Sequence, residues 1–319
     1  MLVLGCNSDS EDTPTPTPAP SFDWTNQPGL TSRDLKDVNF VSSSKGWVVG
    51  DQILFATSNG GANWPSPPVD SASGVPSIIN SVYFVNSMVG WMAGQAEDKN
   101  VGEVYISPQG GAYPILQATF NQPLNVVYFI DLQTGWTAGE SGDIFSTTDG
   151  GSGWNTLASL GVKLNDLVFT TFEKGWVVGD QGSIFQTNDG MNFSPQDLGV
   201  TYKLNAVHFV DTLHGWICGA RNSIFKRDLS LQNVPEWTLL NVENTHEVTE
   251  WKDIYFIDSS HGWVISAEGL IYRTENGGDS WTKEFPQTID VFNSIYMASA
   301  TKGWIVGENG LILSYTPTP

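Results

Sequence analysis

Seven times along the chain a glycine is followed by tryptophan: Gly46-Trp47, Gly90-Trp91, Gly135-Trp136, Gly175-Trp176, Gly215-Trp216, Gly262-Trp263 and Gly303-Trp304. The intervals are 44, 45, 40, 40, 47 and 41 residues, the length of one four-stranded propeller blade. Seven positions before each Trp stands a bulky residue: Phe40, Phe84, Phe129, Phe169, Phe209, Phe256 and, in the last copy, Met297. A spacing held through seven copies predicts a single closed all-β array, a seven-bladed β-propeller of four-stranded antiparallel blades. No helical periodicity is sustained anywhere, and 33 Gly with 17 Pro suit many short strands joined by turns. Thirteen Trp, sixteen Phe and nine Tyr supply the large apolar side chains that stacked sheets need between them.

The fourth copy shows how one repeat is built. Leu167-Val168-Phe169 leads through a turn to Gly175-Trp176-Val177-Val178-Gly179, then Asp180-Gln181-Gly182, Ser183-Ile184-Phe185-Gln186-Thr187 and Asn188-Asp189-Gly190. Apolar residues fall at consecutive rather than alternate positions, as in strands covered on both faces. Between third and fourth strands most copies carry a version of Ser/Thr-x-Asp-x-Gly-x-x-Trp. It reads Thr147 to Trp154 around Asp149, Thr274 to Trp281 around Asn276, and Thr57 to Trp64 around Asn59; the fourth copy has Asp189. Here the Asp or Asn oxygen is expected to accept turn amides, Gly to supply positive φ, and Trp to fill the gap beside the neighbouring blade. That makes Asn59, Asp149, Trp154, Asp189, Asn276 and Trp281 structural.

These motifs resemble the Asp-box, or bacterial neuraminidase repeat, propellers. The Phe-x6-Trp spacing with Gly-Trp-x-x-Gly and Thr-x-Asp-Gly-Gly-x-x-Trp is most similar to the photosystem II stability/assembly factor group of seven-bladed propellers. The resemblance covers about residues 22–316. It implies an assembly-factor role, in which the related protein holds a membrane-protein precursor. That group's recognised surface is basic and arginine-rich, whereas this chain has a net charge of −20 and only four arginines, Arg33, Arg221, Arg227 and Arg273.

The last copy stops after its third strand, Leu311 to Tyr315, which would leave an open sheet edge. The Trp-Thr of Phe22-Asp23-Trp24-Thr25 matches Trp281-Thr282 and Trp237-Thr238. The N-terminal segment is therefore predicted to pair outside Leu311–Tyr315 and close the ring.

Ahead of it, Val3-Leu4-Gly5-Cys6 resembles a bacterial lipobox, followed by acidic and Thr-Pro residues as far as Pro20 that cannot bury a core. The expected organisation is a signal-peptide remnant at 1–5, a lipidated Cys6 with a disordered tether over 6–21, and a propeller over 22–319. Only five residues precede Cys6, against the ~7–15 apolar residues of a signal peptide, so either the start is placed late or the sequence is trimmed. This reading places the protein in the outer membrane or on the surface of a bacterium, touching the membrane only through its lipid. Cys218, in an apolar second strand, reads as a small buried hydrophobe.

The charge repels nucleic acid and anionic lipid and favours cations or a basic protein partner. The residue after each second strand is Asp51, Gln95, Glu140, Asp180, Ala220, Ala267 or Glu308. With Glu97, Asp98 and Glu268 these acids form a candidate binding face opposite the Asp boxes, able to hold a divalent cation weakly, seat a basic segment, or serve solubility alone. No cofactor is implied. Sialidase chemistry needs three converging arginines, and zinc needs Cys or His at ligand spacing; neither pattern is present. The expectation is a monomeric, non-catalytic scaffold for a protein or other ligand. The alternative is a carbohydrate-binding protein or glycosidase. Loops at Gln95–Gly102, Arg227–Glu236 and Asn241–Glu250 depart most from the repeat and are candidate partner contacts.

Overall fold

The computed structural model describes residues 22–317 apart from 28, 67–77, 99, 231–235, 244, 247, 287 and 289. Cys6 and the expected tether lie outside the described residues, as do parts of all three irregular loops.

Seven antiparallel sheets stand around one axis. Each begins with its innermost strand: Leu35–Phe40, Ile78–Phe84, Leu124–Phe129, Leu164–Phe169, Leu204–Phe209, Trp251–Phe256 and Phe292–Ser299 open blades 1 to 7. Each innermost strand packs against the next, and the last against the first, so the ring is closed. Six sheets have four strands; blade 1 has three among the described residues, with the Ala56 amide donating to Pro65 O at 3.0 Å beyond the third. The described residues contain no α-helix, only one-turn 3-10 segments at Asp180–Gly182 and Glu308–Gly310.

Ring closure follows the sequence expectation. Strand Phe22–Asn26 pairs with Ile312–Pro317 of blade 7, Trp24 opposite Tyr315 and Thr25 opposite Ser314. Trp24 is buried and lies 4.8 Å from the Tyr315 ring centroid, and its indole N–H donates to Glu284 of blade 6 at 2.6 Å. The segment therefore ties the last blade sideways as well as filling its edge.

The seven-residue spacing has a packing cause. In every blade the five residues starting at the Gly-Trp glycine are buried, and in six of the seven the Trp lies flat on the Phe of the next blade. Trp47 stacks on Phe84 at 3.5 Å, Trp91 on Phe129 at 3.5 Å, Trp136 on Phe169 at 3.6 Å, Trp176 on Phe209 at 3.8 Å and Trp216 on Phe256 at 3.5 Å. Closing the circle, Trp304 of blade 7 stacks on Phe40 of blade 1 at 3.5 Å. Between blades 6 and 7, Trp263 meets Met297 within one core cluster. The other face of each Phe lies on its own blade's glycine; a Cβ on Gly46 would sit 2.4 Å from the Phe40 ring. The glycine ending that strand answers a second approach, since a Cβ on Gly50 would lie 1.9 Å from Asp34 O.

The Asp or Asn turns complete the joint. Thr147 Oγ1 donates to Asp149 Oδ1 at 2.7 Å and accepts the Gly151 amide at 2.9 Å, while Asp149 Oδ1 accepts the Gly153 amide at 2.9 Å. Asn59 and Asn276 repeat this pattern, and Asp189 accepts the Met191 and Asn192 amides. These donors hold the Asp149 and Asp189 carboxyls below the usual carboxylate range. The turn then presents a glycine carbonyl to the preceding blade: Trp91 Nε1 donates to Gly150 O at 3.2 Å, Trp216 to Gly277 O at 3.0 Å and Trp304 to Gly60 O at 3.2 Å. Trp154 and Trp281 stand edge-on against Phe129 and Phe256, closing the same crevice.

Candidate functional site

Two places gather polar side chains: the axial channel, and the face carrying the second-to-third-strand turns. The channel is built by a bulge. Near the start of the innermost strands the pairing register slips, for example between Leu35 and Asp37 and between Leu164 and Asp166, and a bulge re-aims side chains. Successive rings of residues then line a cavity of about 300 Å³ and its mouth.

At the mouth the bulged residue is Asn in blades 2, 3, 4, 5 and 7 and Lys in blades 1 and 6. Each Asn staples its neighbour: Asn80 Nδ2 donates to Leu124 O, Asn125 to Leu164 O and Asn293 to Leu35 O, all at 2.8 Å. One position further in lie Asp37, Asp166 and Asp253 of blades 1, 4 and 6. Each carboxylate accepts the next residue's amide and one amide of the following blade, from Val82, Val207 and Ile295 respectively, at 2.8 Å. Deeper still come Tyr83, Tyr128, Tyr255, Tyr296 and His208, with Asn39 and Val168 in the remaining blades. Tyr128 donates its hydroxyl to Phe169 O at 2.9 Å, and His208 Nε2 lies 2.8 Å from Phe256 O.

Depth sets the charge of this channel. Burial raises the Asp37 carboxyl, carries Asp166 well above its ordinary range and brings Asp253 to about 7, each against the pull of its amide donors. Burial also pushes His208 down to about 4. Burial raises Tyr83, with Tyr128 and Tyr296 adding to it, and burial raises Tyr255, with Tyr296 and Tyr83 adding to it. Burial thus disfavours charge inside the channel, and its polar atoms mostly face neighbouring backbone. The sequence reading did not single it out, although its signal lies one, three and four residues before each bulky Phe or Met.

The acidic face is mixed rather than uniformly negative. Glu140 pairs with Lys163 at 2.6 Å, Lys36 lies 3.3 Å from Asp34 and 4.0 Å from Asp51, and Lys203 pairs with Glu250 at 2.7 Å. Asp180 accepts from Asn165 at 3.0 Å, and Glu268 accepts the Glu250 amide at 3.3 Å. Glu97 and Asp98 are exposed in the blade 2 loop, and Glu308 opens the 3-10 turn of blade 7. Among the described residues, no three His, Cys, Asp or Glu come together as a metal site. Sequence reasoning missed the lysines because each meets its acid across a blade boundary: Lys163, leading into blade 4, faces Glu140 of blade 3, and Lys203, leading into blade 5, faces Glu250, which leads into blade 6.

The arginines are dispersed. Arg227 is buried over Trp176 and pairs with Glu236 at 2.9 Å, Arg273 reaches Glu284 at 3.0 Å, Arg33 donates to Gln52 at 2.7 Å, and Arg221 lies over Tyr202. Cys218 is free and buried, as expected. His214 is half-buried between Asp211 at 2.8 Å and Asp228 at 3.4 Å.

Known proteins agree with this architecture. A structure described as YCF48 bound to D1 peptide superposes with a TM-score of 0.76 at 18% identity, over 92% of this chain and 96% of that one. YCF48 from Cyanidioschyzon merolae gives 0.72 at 17% identity, over 92% and 98%. The WD40 propeller domain of Doa1 gives 0.73 at 14% identity, over 92% and 97%. At such identities the likeness is one of fold. No curated protein matches the chain. The sequence profile of one family matches residues 18–97 and 229–318, more than half of the chain, and on that ground the protein belongs to the family described as Photosynthesis system II assembly factor YCF48.

Proposed function

We propose that this protein is an exported, lipid-anchored scaffold that holds a segment of a partner protein and performs no chemistry of its own. The observation that carries the reading is membership of an assembly-factor family across both ends of the chain. It is supported by the use of the axial polar groups, which are committed to joining blades: Asp37, Asp166 and Asp253 each accept an amide of the next blade. The dispersed arginines argue against a carboxylate-binding triad of the sialidase type. A relative's structure described as bound to a peptide is consistent with a segment as the ligand.

In this reading Cys6 carries the lipid, residues 7–21 act as the tether, and a monomeric ring faces the bacterial envelope. Its net charge of −20 disfavours nucleic acid and anionic lipid surfaces.

Cross-linked capture from the native envelope, with the lipidated protein as bait, tests the scaffold. Specific enrichment of an envelope protein is expected. Hydrolysis of a chromogenic glycoside that one carboxylate substitution abolishes would overturn the reading in favour of an enzyme. Cys6→Ser should leave the protein unlabelled by an alkyne fatty acid and free of the membrane.

A further inference from the structure

The seven turns joining first to second strands provide their own comparison, because the same backbone recurs with different tips. In each, the first side chain caps the turn, as Asp131 does by accepting the Gln133 and Thr134 amides at 2.8 and 2.6 Å. Blades 1, 6 and 7 carry Ser43-Ser44, Ser259-Ser260 and Ala300-Thr301 at the tip. The turn geometry is therefore satisfied by small residues. Blades 2 to 5 instead carry Met88, Leu132, Phe172 and Leu213, with 52, 45, 56 and 41% of their surface exposed. Four consecutive blades thus each show one large apolar side chain on the same face.

These tips are held in place. The Gly110 amide donates to Met88 O at 2.6 Å, Gly150 to Gln133 O at 2.8 Å and Gly190 to Glu173 O at 2.8 Å, so each turn is pinned to the third-to-fourth-strand turn of its own blade. On that second turn of blade 4, Met191 adds another side chain that is 69% exposed. Exposed apolar groups gathered on a fixed face mark an interaction surface.

Resting on the scaffold reading, we propose that this arc over blades 2 to 5 seats a partner-protein segment carrying both large apolar and basic side chains. The charge around the arc selects the basic component. Asp131, Asp149, Glu173, Asp189 and Asp211 stand in these turns with one exposed lysine, Lys174, among their described residues. Such a surface repels an anionic bilayer and attracts a cationic segment. Apolar tips supply contact area, and the carboxylates orient the ligand.

The test compares wild type with the M88S/L132S/F172S/L213S variant, whose exposed substitutions should leave the melting temperature unchanged. The probes are a labelled amphipathic Leu/Lys peptide and a Ser/Lys peptide of equal charge. Wild type should bind the Leu/Lys peptide at least tenfold more tightly than the variant does, with no such difference for the Ser/Lys peptide. Equal binding of the Leu/Lys peptide by both proteins overturns the proposal. So does wild-type-specific sedimentation with phosphatidylcholine or phosphatidylglycerol vesicles, or a dimer that the variant converts to monomer. Envelope capture by both forms alike overturns this surface and leaves the scaffold reading intact; capture by neither overturns both.

Discussion

The indole of Trp304 lies flat on the ring of Phe40, centroids 3.5 Å apart and planes 9° from parallel, joining the last blade to the first. The same pair recurs at five other blade interfaces, so closure of the ring uses the joint that builds it. Stacked aromatic pairs add about 0.5–1.5 kcal/mol beyond the area they bury. Because the contacts are repeated, loss of one should be felt at a single interface.

Phe40→Ala removes the stack, the support for Gly46 and the edge contact with Trp64, which lies 5.8 Å away. A loss of about 3–5 kcal/mol is expected for truncating a buried Phe. Trp304→Phe, which keeps a stacked ring but forfeits the bond to Gly60 O, should cost about 1 kcal/mol from the hydrogen bond plus the area lost. Urea denaturation compares the two; equal effects would show that stacking contributes little.

Deleting residues 21–26 should lower the melting temperature by roughly 10 °C or more, as expected when a buried Trp worth about 3–5 kcal/mol is lost. The deletion exposes the edge of Ile312–Pro317 and leaves Glu284 without the Trp24 indole. An unchanged melt would show that this strand is dispensable for closure.

Channel titration should appear in the pH dependence of stability. Asp253 has a folded-state value of about 7, above its ordinary one, so its contribution is present in acid and is lost as pH rises through about 7. His208, lowered to about 4, acts in the opposite sense: its contribution is present above its ordinary 6.5 and is lost as pH falls toward about 4. His208→Tyr should therefore steepen the fall in melting temperature with rising pH. Asp253→Asn should flatten that fall, whatever its absolute stability. Parallel curves for all three proteins would refute these assignments.

Calcium should bind weakly at most on the face of Asp51, Glu140, Asp180 and Glu308, since lysines share it and each acid sits in its own turn. Calorimetry with Ca²⁺ should give little heat and no shift in melting. Micromolar affinity would show that the carboxylates regroup around the ion.

Much of the fold was legible in the chain, and particular residues say why. The recurrence of Phe40, Gly46 and Trp47 at fixed offsets reports a three-part sandwich, and Gly46 leaves no room for a Cβ. The turn around Asp149 could be read because its bonds are local, running from Thr147 to Gly153. The Trp-Thr at Trp24 marked the closing strand for the same reason as in other blades.

The sites were less legible. Lys163 opposes Glu140 from the next blade, and His208 meets the O of Phe256, 48 residues further along the chain. No local spacing records such contacts. The exposed row of Met88, Leu132, Phe172 and Leu213 likewise becomes a surface only once four turns are brought side by side.

By itself, the sequence determined the number of blades, their packing joint and the segment that seals the ring, because these rest on periodic large side chains and on glycines with no alternative. Tertiary structure alone decided which side chains share the axis and which share a face. The bulges turn residues toward the channel, and closure of the ring sets distant repeats next to one another.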